Sequence, residues 1–249
     1  MQLSVFHAPE QVPSLASNPS PDCAIVVDVL RATTTIATAF AAGAEAVRAV
    51  AELADLDAAS AAWPQERRLR SGERGGQPVE GYDLGNSPLD YTAETVAQKR
   101  IFMSTTNGTR ALACVQTAPV LLTAAFVNLS AVVEQVLQQQ FESVWLVNSG
   151  WQGAYALEDT ACSGAICAAL QQASGSYKAA NDETVASIAL YRQWQDNLLG
   201  LLRLSSHGQR LLALGRDADL VYCADRDRFN VVPRQSEPGI LQVRAKPLS

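Results

Sequence analysis

An aspartate, an arginine and three hydroxyls follow directly on the apolar run Cys23-Ala24-Ile25-Val26-Val27, as Asp28-Val29-Leu30-Arg31-Ala32-Thr33-Thr34-Thr35. A carboxylate can hold a divalent cation, and a guanidinium can clamp an anion beside it. Amides at the start of a helix would add further donors to that anion. The same sequence of parts returns twice. Residues 100–103 lead into Ser104-Thr105-Thr106-Asn107-Gly108-Thr109-Arg110, where Gly108 permits a tight turn and close backbone approach. Residues 143–147 lead through Asn148-Ser149-Gly150-Trp151-Gln152-Gly153 to Glu158-Asp159-Thr160. Each segment also has a structural reading: Thr33 or Thr34 caps a helix, Asp28 pairs with Arg31, and Glu158 and Asp159 are partners of a helix dipole. Three such loops in one chain argue for a shared pocket.

A fourth polar stretch covers residues 71–88 and includes Glu73, Arg74, Asn86 and Ser87. Its five glycines in eighteen residues predict a segment with no regular element. That leaves two readings, a surface linker or a ligand loop.

Several chemistries are excluded by what is missing. There is no GxxxxGK[ST] and no GxGxxG, which argues against a P-loop or dinucleotide site. No cysteine has an arginine six positions later, and His7 and His207 are the only histidines, neither in an Arg-His-Gly context. His207, between Ser206 and Gly208, reads as an exposed residue at a helix start. Asp28 lacks the second acid of the Asp-x-Asp motif of haloacid-dehalogenase phosphatases, because Leu30 stands there. Carboxylates, arginines, hydroxyls and amides remain. Phosphomonoester hydrolysis demands up to about 10²¹-fold acceleration, about 28 kcal/mol. Hydrogen bonds from a few loops do not reach that, whereas a cation that polarises phosphorus and activates water can. Oxygen donors without a His or Cys cluster select Mg²⁺ over zinc.

The elements that must position these loops alternate strand and helix, as in α/β layers. Strands are expected at 3–6, 23–28, 46–50 and 120–122, with 9–21 as a connecting loop. Helices are expected at 36–42, 51–63, 92–98, from Asn128 or Ser130 to 140, and at 161–170. A long amphipathic helix is expected over 182–204, then one from Ser206 to Gly215. Residues 229–233 and 240–243 are expected to pair as a terminal ribbon. Tyr191 and Trp194 lie off the main apolar stripe of the long helix and mark either a homodimer face or a broad core contact.

The 249 residues show no interdomain linker and read as one domain over 1–249, or two closely packed lobes. A net charge of −6 argues against nucleic acid or an anionic membrane as a partner. It still allows a small anionic substrate, because the basic residues are 16 Arg to 3 Lys and nearly all can fork onto phosphate or carboxylate. Five cysteines in apolar segments without a CxxC pair, no signal-peptide pattern and no membrane-length apolar run predict a cytoplasmic protein.

Taken together, Val27-Asp28-Val29-Leu30-Arg31-Ala32-Thr33-Thr34, Gly72-Glu73-Arg74, Gly85-Asn86-Ser87-Pro88, Ser104-Thr105-Thr106-Asn107-Gly108-Thr109 and Glu158-Asp159-x-x-Cys162-x-Gly164-Ala165 resemble the 2-phosphosulfolactate phosphatase (ComB-like) family. Ser206-x-Gly208 and Val232-Pro233 are also similar. The resemblance implies a three-layer α/β/α protein with a mostly parallel or mixed sheet. It also implies a Mg²⁺-dependent phosphatase that converts 2-phospho-3-sulfolactate to sulfolactate on the way to coenzyme M. Asp28, Arg31, Glu158 and Asp159 are then the expected catalytic residues, with Asp28, Glu158 and Asp159 around the metal. Thr33, Thr34, Glu73, Arg74, Asn86, Ser87, Thr105, Thr106, Asn107, Gly108, Thr109 and Arg110 are the expected substrate contacts. Arg74 or Arg110 would hold the sulfonate or carboxylate. Asp28 could instead attack phosphorus as a nucleophile. The competing functions are a non-catalytic sensor of a small phosphorylated acid, or a phosphatase for a different one.

Overall fold

The computed structural model describes residues 1–15 and 20–243. Part of the expected 9–21 loop (16–19) and the last six residues lie outside the described residues. Eleven strands form one mixed sheet: β1 (Gln2–Phe6), β2 (Cys23–Val27), β3 (Ala46–Ala49), β4 (Arg68–Arg74), β5 (Gln77–Pro78), β6 (Arg100–Ser104), β7 (Val120–Ala124), β8 (Ser143–Asn148), β9 (Lys178–Ala179), β10 (Arg234–Glu237) and β11 (Ile240–Gln242). Their spatial order is β5-β4-β6-β3-β11-β10-β7-β2-β8-β1-β9.

The five residues of β2 are all buried because both sheet faces are covered. Cys23, Ile25 and Val27 enter one core, and Ala24 and Val26 the opposite one. Full burial of Ile25 or Val27 contributes about 1.5–3 kcal/mol each. The first core is covered by α5 (Leu129–Gln139), α6 (Leu157–Ala173), α7 (Asp182–Trp194), α8 (Leu198–Leu204), α9 (Ser206–Ala213) and α10 (Asp217–Cys223). The second is covered by α1 (Ala32–Ala41), α3 (Ala93–Val96) and α4 (Gly108–Cys114), while α2 (Leu53–Ala61) packs along β4 and β6. The result is the expected three-layer α/β/α arrangement. No helix among the described residues is long and apolar enough to cross a membrane.

Three expectations need correction, and one open alternative is resolved at the level of this chain. The segment that includes Ser71-Gly72-Glu73-Arg74 is a strand, because β4 pairs in parallel with β6 from Arg68↔Arg100 to Gly72↔Ser104. Tertiary pairing overrides the weak local preference there, and Gly72 leaves room for the Tyr82 ring, which an added Cβ would meet at 2.8 Å. The helix expected over 182–204 breaks at the polar residues 195–197, where the Asn197 side chain accepts from the Gly200 amide (3.0 Å) and caps α8. Tyr191 is buried in the core with Trp194 packed against it, so they form a core contact. The terminal ribbon does form, but its first strand is β10, not 229–233. It sits in the middle of the sheet. β10 pairs antiparallel with β7 and β11 antiparallel with β3.

Candidate active site

Asp28 is the first residue beyond β2 and is buried. Its amide donates to Thr33 Oγ1 (2.9 Å), and its Oδ1 accepts from the Ala32 amide (3.0 Å). Thr33 Oγ1 donates to the Asp28 carbonyl (2.8 Å) and Thr34 Oγ1 to that of Val29 (2.8 Å). Both hydroxyls therefore shape the turn and are inside the helix, which starts at Ala32, four residues earlier than expected. The side chain that receives the first helical amide is Asp28, and neither threonine acts as the cap.

Arg31 does not pair with Asp28. Its Nη1 donates to Asp219 Oδ2 at 2.5 Å, with both side chains at most 3% exposed. Its Nη2 donates to the Gly76 carbonyl (3.2 Å) in the β4–β5 turn. Asp219, on α10, also accepts from Ser87 Oγ (2.7 Å). A buried arginine needs such a partner, since an unpaired buried charge costs several kcal/mol. Asp219 lies 188 residues from Arg31 and was not anticipated.

Glu158 and Asp159 occupy the first turn of α6 and are both buried. Asp159 is fully engaged: Oδ1 accepts from the Val29 amide (2.8 Å) and Oδ2 from Ser149 Oγ (2.9 Å). It ties the 28–31 loop to the end of β8. Glu158 Oε2 is buried without a partner, and Oε1 stands 4.0 Å from His207 Nδ1. Glu73 Oε1 accepts from the Gly76 amide (2.5 Å), and Oε2 from Thr106 Oγ1 (3.4 Å). Gly108 closes the site on the β6 side. A Cβ there would stand 2.7 Å from Asp28 Oδ2 and 2.7 Å from the Ala32 Cβ, so only glycine allows this approach.

Five buried acids (Asp28, Glu73, Glu158, Asp159, Asp219) thus face one buried arginine, Arg31. Burial pushes Asp28 up to about 6, with the Ala32 amide opposing and Glu73 reinforcing. Glu158 is pushed up to about 7, again chiefly by burial. Asp159 lies well above the usual carboxylate range, through burial and then the charges of Glu158 and Asp28. Such a cluster favours a bound cation. Mg²⁺ takes oxygen ligands, keeps several waters and needs only one or two carboxylates plus substrate oxygens. Among the described residues no three His, Cys, Asp or Glu groups stand together as ready ligands. With Asp159 occupied by its two hydrogen bonds, Asp28 and Glu158 are the carboxylates that fit such an ion.

The other expected contacts have the following partners within the protein. Arg74 donates to the Glu73 carbonyl (2.8 Å), the Ala51 carbonyl (3.3 Å) and Ser104 Oγ (2.9 Å). Arg110 points to the surface and pairs with Glu10. Thr105 Oγ1 accepts from the Thr109 amide (3.3 Å), and Thr109 Oγ1 donates to the Thr105 carbonyl (2.8 Å). These two residues hold the turn, which removes one of the amides expected to meet phosphate. Asn86 Oδ1 and Asn107 Oδ1 are buried and unpartnered, as is Arg31 Nε. His207 is only 12% exposed and stacks on Trp151 (5.9 Å between centroids), contrary to the surface position expected. Burial, then the Arg31 charge, push it down to about 4, so its imidazole is neutral at neutral pH. Its neighbour Gly208 and the cap Ser205 were the local signal for a buried start to α9; nothing local marks Trp151 or Asp219.

Buried acids, a fixed arginine and unpaired polar atoms thus gather on the strand-end loops, the edge at which α/β proteins of the open-sheet class bind their ligands. Residues 6–238 match the profile of 2-phosphosulpholactate phosphatase, and the chain belongs to that family. It is 59% identical over 243 residues to the "Probable 2-phosphosulfolactate phosphatase" of Synechococcus sp. (strain JA-2-3B'a(2-13)), covering 97% of this chain and 98% of that one. Identity to the protein of the same name from Microcystis aeruginosa (strain NIES-843 / IAM M-2473) is 56% over 241 residues, covering 97% and 99%. For that of Synechocystis sp. (strain ATCC 27184 / PCC 6803 / Kazusa) it is 54% over 241 residues, with the same coverage.

Proposed function

We propose that this chain is a Mg²⁺-dependent phosphatase that hydrolyses 2-phospho-3-sulfolactate to sulfolactate and phosphate, on a route of the coenzyme M type. Family membership supports the reaction. The observation that carries it to named residues is the set of unsatisfied buried atoms. Seven buried side-chain N or O atoms among the described residues lack a partner, and four belong to Arg31, Asn86, Asn107 and Glu158. Buried polar groups are normally paired, so a cluster of exceptions marks a place for a ligand.

Arg31 is oriented by Asp219 and Gly76 through Nη1 and Nη2, which leaves Nε to donate to a phosphoryl oxygen. A charge-assisted bond of that kind contributes about 1.5–3 kcal/mol. Asp28 and Glu158 would hold Mg²⁺, which when bound supplies charge neutralisation and activation of water. Asp159 keeps the Asp28 loop in place through Val29. Asp28 as nucleophile is the alternative route; its two in-line displacements at phosphorus give retention of configuration in the released phosphate, whereas direct attack by water gives inversion. The reading carries with it a cytoplasmic location and no nucleic-acid partner, in keeping with five free thiols and a net charge of −6.

The test is phosphate release from phosphosulfolactate, phosphoglycolate and phospholactate, with Mg²⁺ and after chelation. Fastest release from phosphosulfolactate, lost on chelation, is expected. Tight binding of phosphosulfolactate without turnover in Mg²⁺ would replace the enzyme by a binding protein.

A further inference from the structure

The β4–β5 turn is held by two arginines on successive carbonyls. Arg31 Nη2 donates to Gly76 O (3.2 Å), and Arg210 Nη2, from α9, donates to Gly75 O (3.2 Å). Their surroundings differ. Arg31 is buried and balanced by Asp219, while Arg210 is exposed and has no carboxylate within ion-pair distance among the described residues. His207, three residues earlier on the same helix, lies on the same face. It is turned inward against Trp151 and Glu158. Arg210 therefore stands at the rim of the acidic site, one peptide unit of the turn away from the arginine assigned to phosphate.

The other cations expected to bind a second anion are already committed. Arg74 has its donors on Glu73, Ala51 and Ser104, and Arg110 is paired with Glu10 at the surface. A substrate with acidic groups next to its phosphorylated carbon would otherwise meet five buried acids with no cation of its own. Arg210 needs to give up only one carbonyl contact to meet such a group.

We propose that Arg210 is a specificity-determining residue that binds a second acidic group of the substrate, carboxylate or sulfonate, while Arg31 binds its phosphate. This rests on the phosphatase reading and adds to it the residue that selects a multiply anionic substrate.

The experiment compares the wild-type protein with R210Q and R210K on phosphosulfolactate, phospholactate (carboxylate only) and 1-sulfopropan-2-yl phosphate (sulfonate only), in Mg²⁺. R210Q is expected to lower kcat/KM on the full substrate on the order of 10- to 100-fold more than on whichever analogue lacks the group Arg210 holds. R210K should recover part of that difference. An equal loss on all three substrates, the mark of a residue that only holds the turn, overturns the proposal, as does no loss on any. If the wild type releases phosphate from none, the phosphatase reading fails, and calorimetric binding decides separately. A preference for sulfolactate over whichever of lactate and 2-hydroxypropanesulfonate lacks the group Arg210 holds, abolished in R210Q, keeps the proposal. The same binding in both proteins ends it.

Discussion

Two concave regions of this molecule differ in how completely their polar groups are satisfied. A groove of about 640 Å³ lies beside α8 and α10, lined by Leu89, Val221, Tyr222, Asp225 and Arg228 among others. Its charges are already balanced. Arg228 pairs with Asp225 (2.9 Å) and lies 4.6 Å above the Tyr222 ring. The strand-end site has mutually repelling acids, a fixed arginine and buried atoms with no partner. Unmet electrostatic demand, more than volume, sets the two regions apart.

The contrast can be broken most severely at Asp28. D28N should reduce kcat at least about 10³-fold. The melting temperature should hold or rise, since the amide removes a carboxylate that burial destabilises. Near-normal turnover would detach the site from catalysis. At Asp219 the effect should divide between function and stability. D219N should lower kcat/KM on the order of 10- to 100-fold by freeing the Arg31 guanidinium. D219A, which strands a buried charge, should cost about 3–5 kcal/mol in urea unfolding.

Carboxylates raised in the folded state bind protons more tightly there than in the unfolded chain. In chelator, stability should therefore be greatest below the unfolded values, near pH 4, and fall as pH rises through about 6 for Asp28 and about 7 for Glu158. The two together are worth on the order of a few kcal/mol. Mg²⁺ should raise the melting temperature more at pH 8 than at pH 5, and equal shifts at both would remove these carboxylates from the metal. The smallest effect belongs to the groove, where R228Q should change stability by no more than about 0.5 kcal/mol and leave turnover unaltered.

The strands β2, β6 and β8 and the acids that follow two of them were legible because strand-then-polar-turn-then-helix is a local pattern. Asp28, Glu158 and Asp159 each sit within one, whereas Glu73 stands inside β4, a strand that only tertiary pairing reveals. The interior position of the terminal ribbon was not, since no short-range signal says which strands will receive it. Asp219 was invisible for a related reason. It looks like an ordinary first-turn acid of α10, and only the fold brings it to Arg31. The protein partners of Arg74 and Arg110 were not legible, because a guanidinium can reach acceptors in several directions and sequence does not rank them.

The placement of β10 and β11 has a consequence for biogenesis. They are the seam between β5-β4-β6-β3, which carries Glu73 and leads into Gly108, and β7-β2-β8-β1-β9, which carries Asp28 and leads into Glu158. During synthesis no strand pairs the two halves of the sheet until residues 234–242 leave the ribosome. The sheet is thus closed last, and a message truncated shortly before that hairpin should yield a chain rich in helices whose two strand sets lack their joining pair.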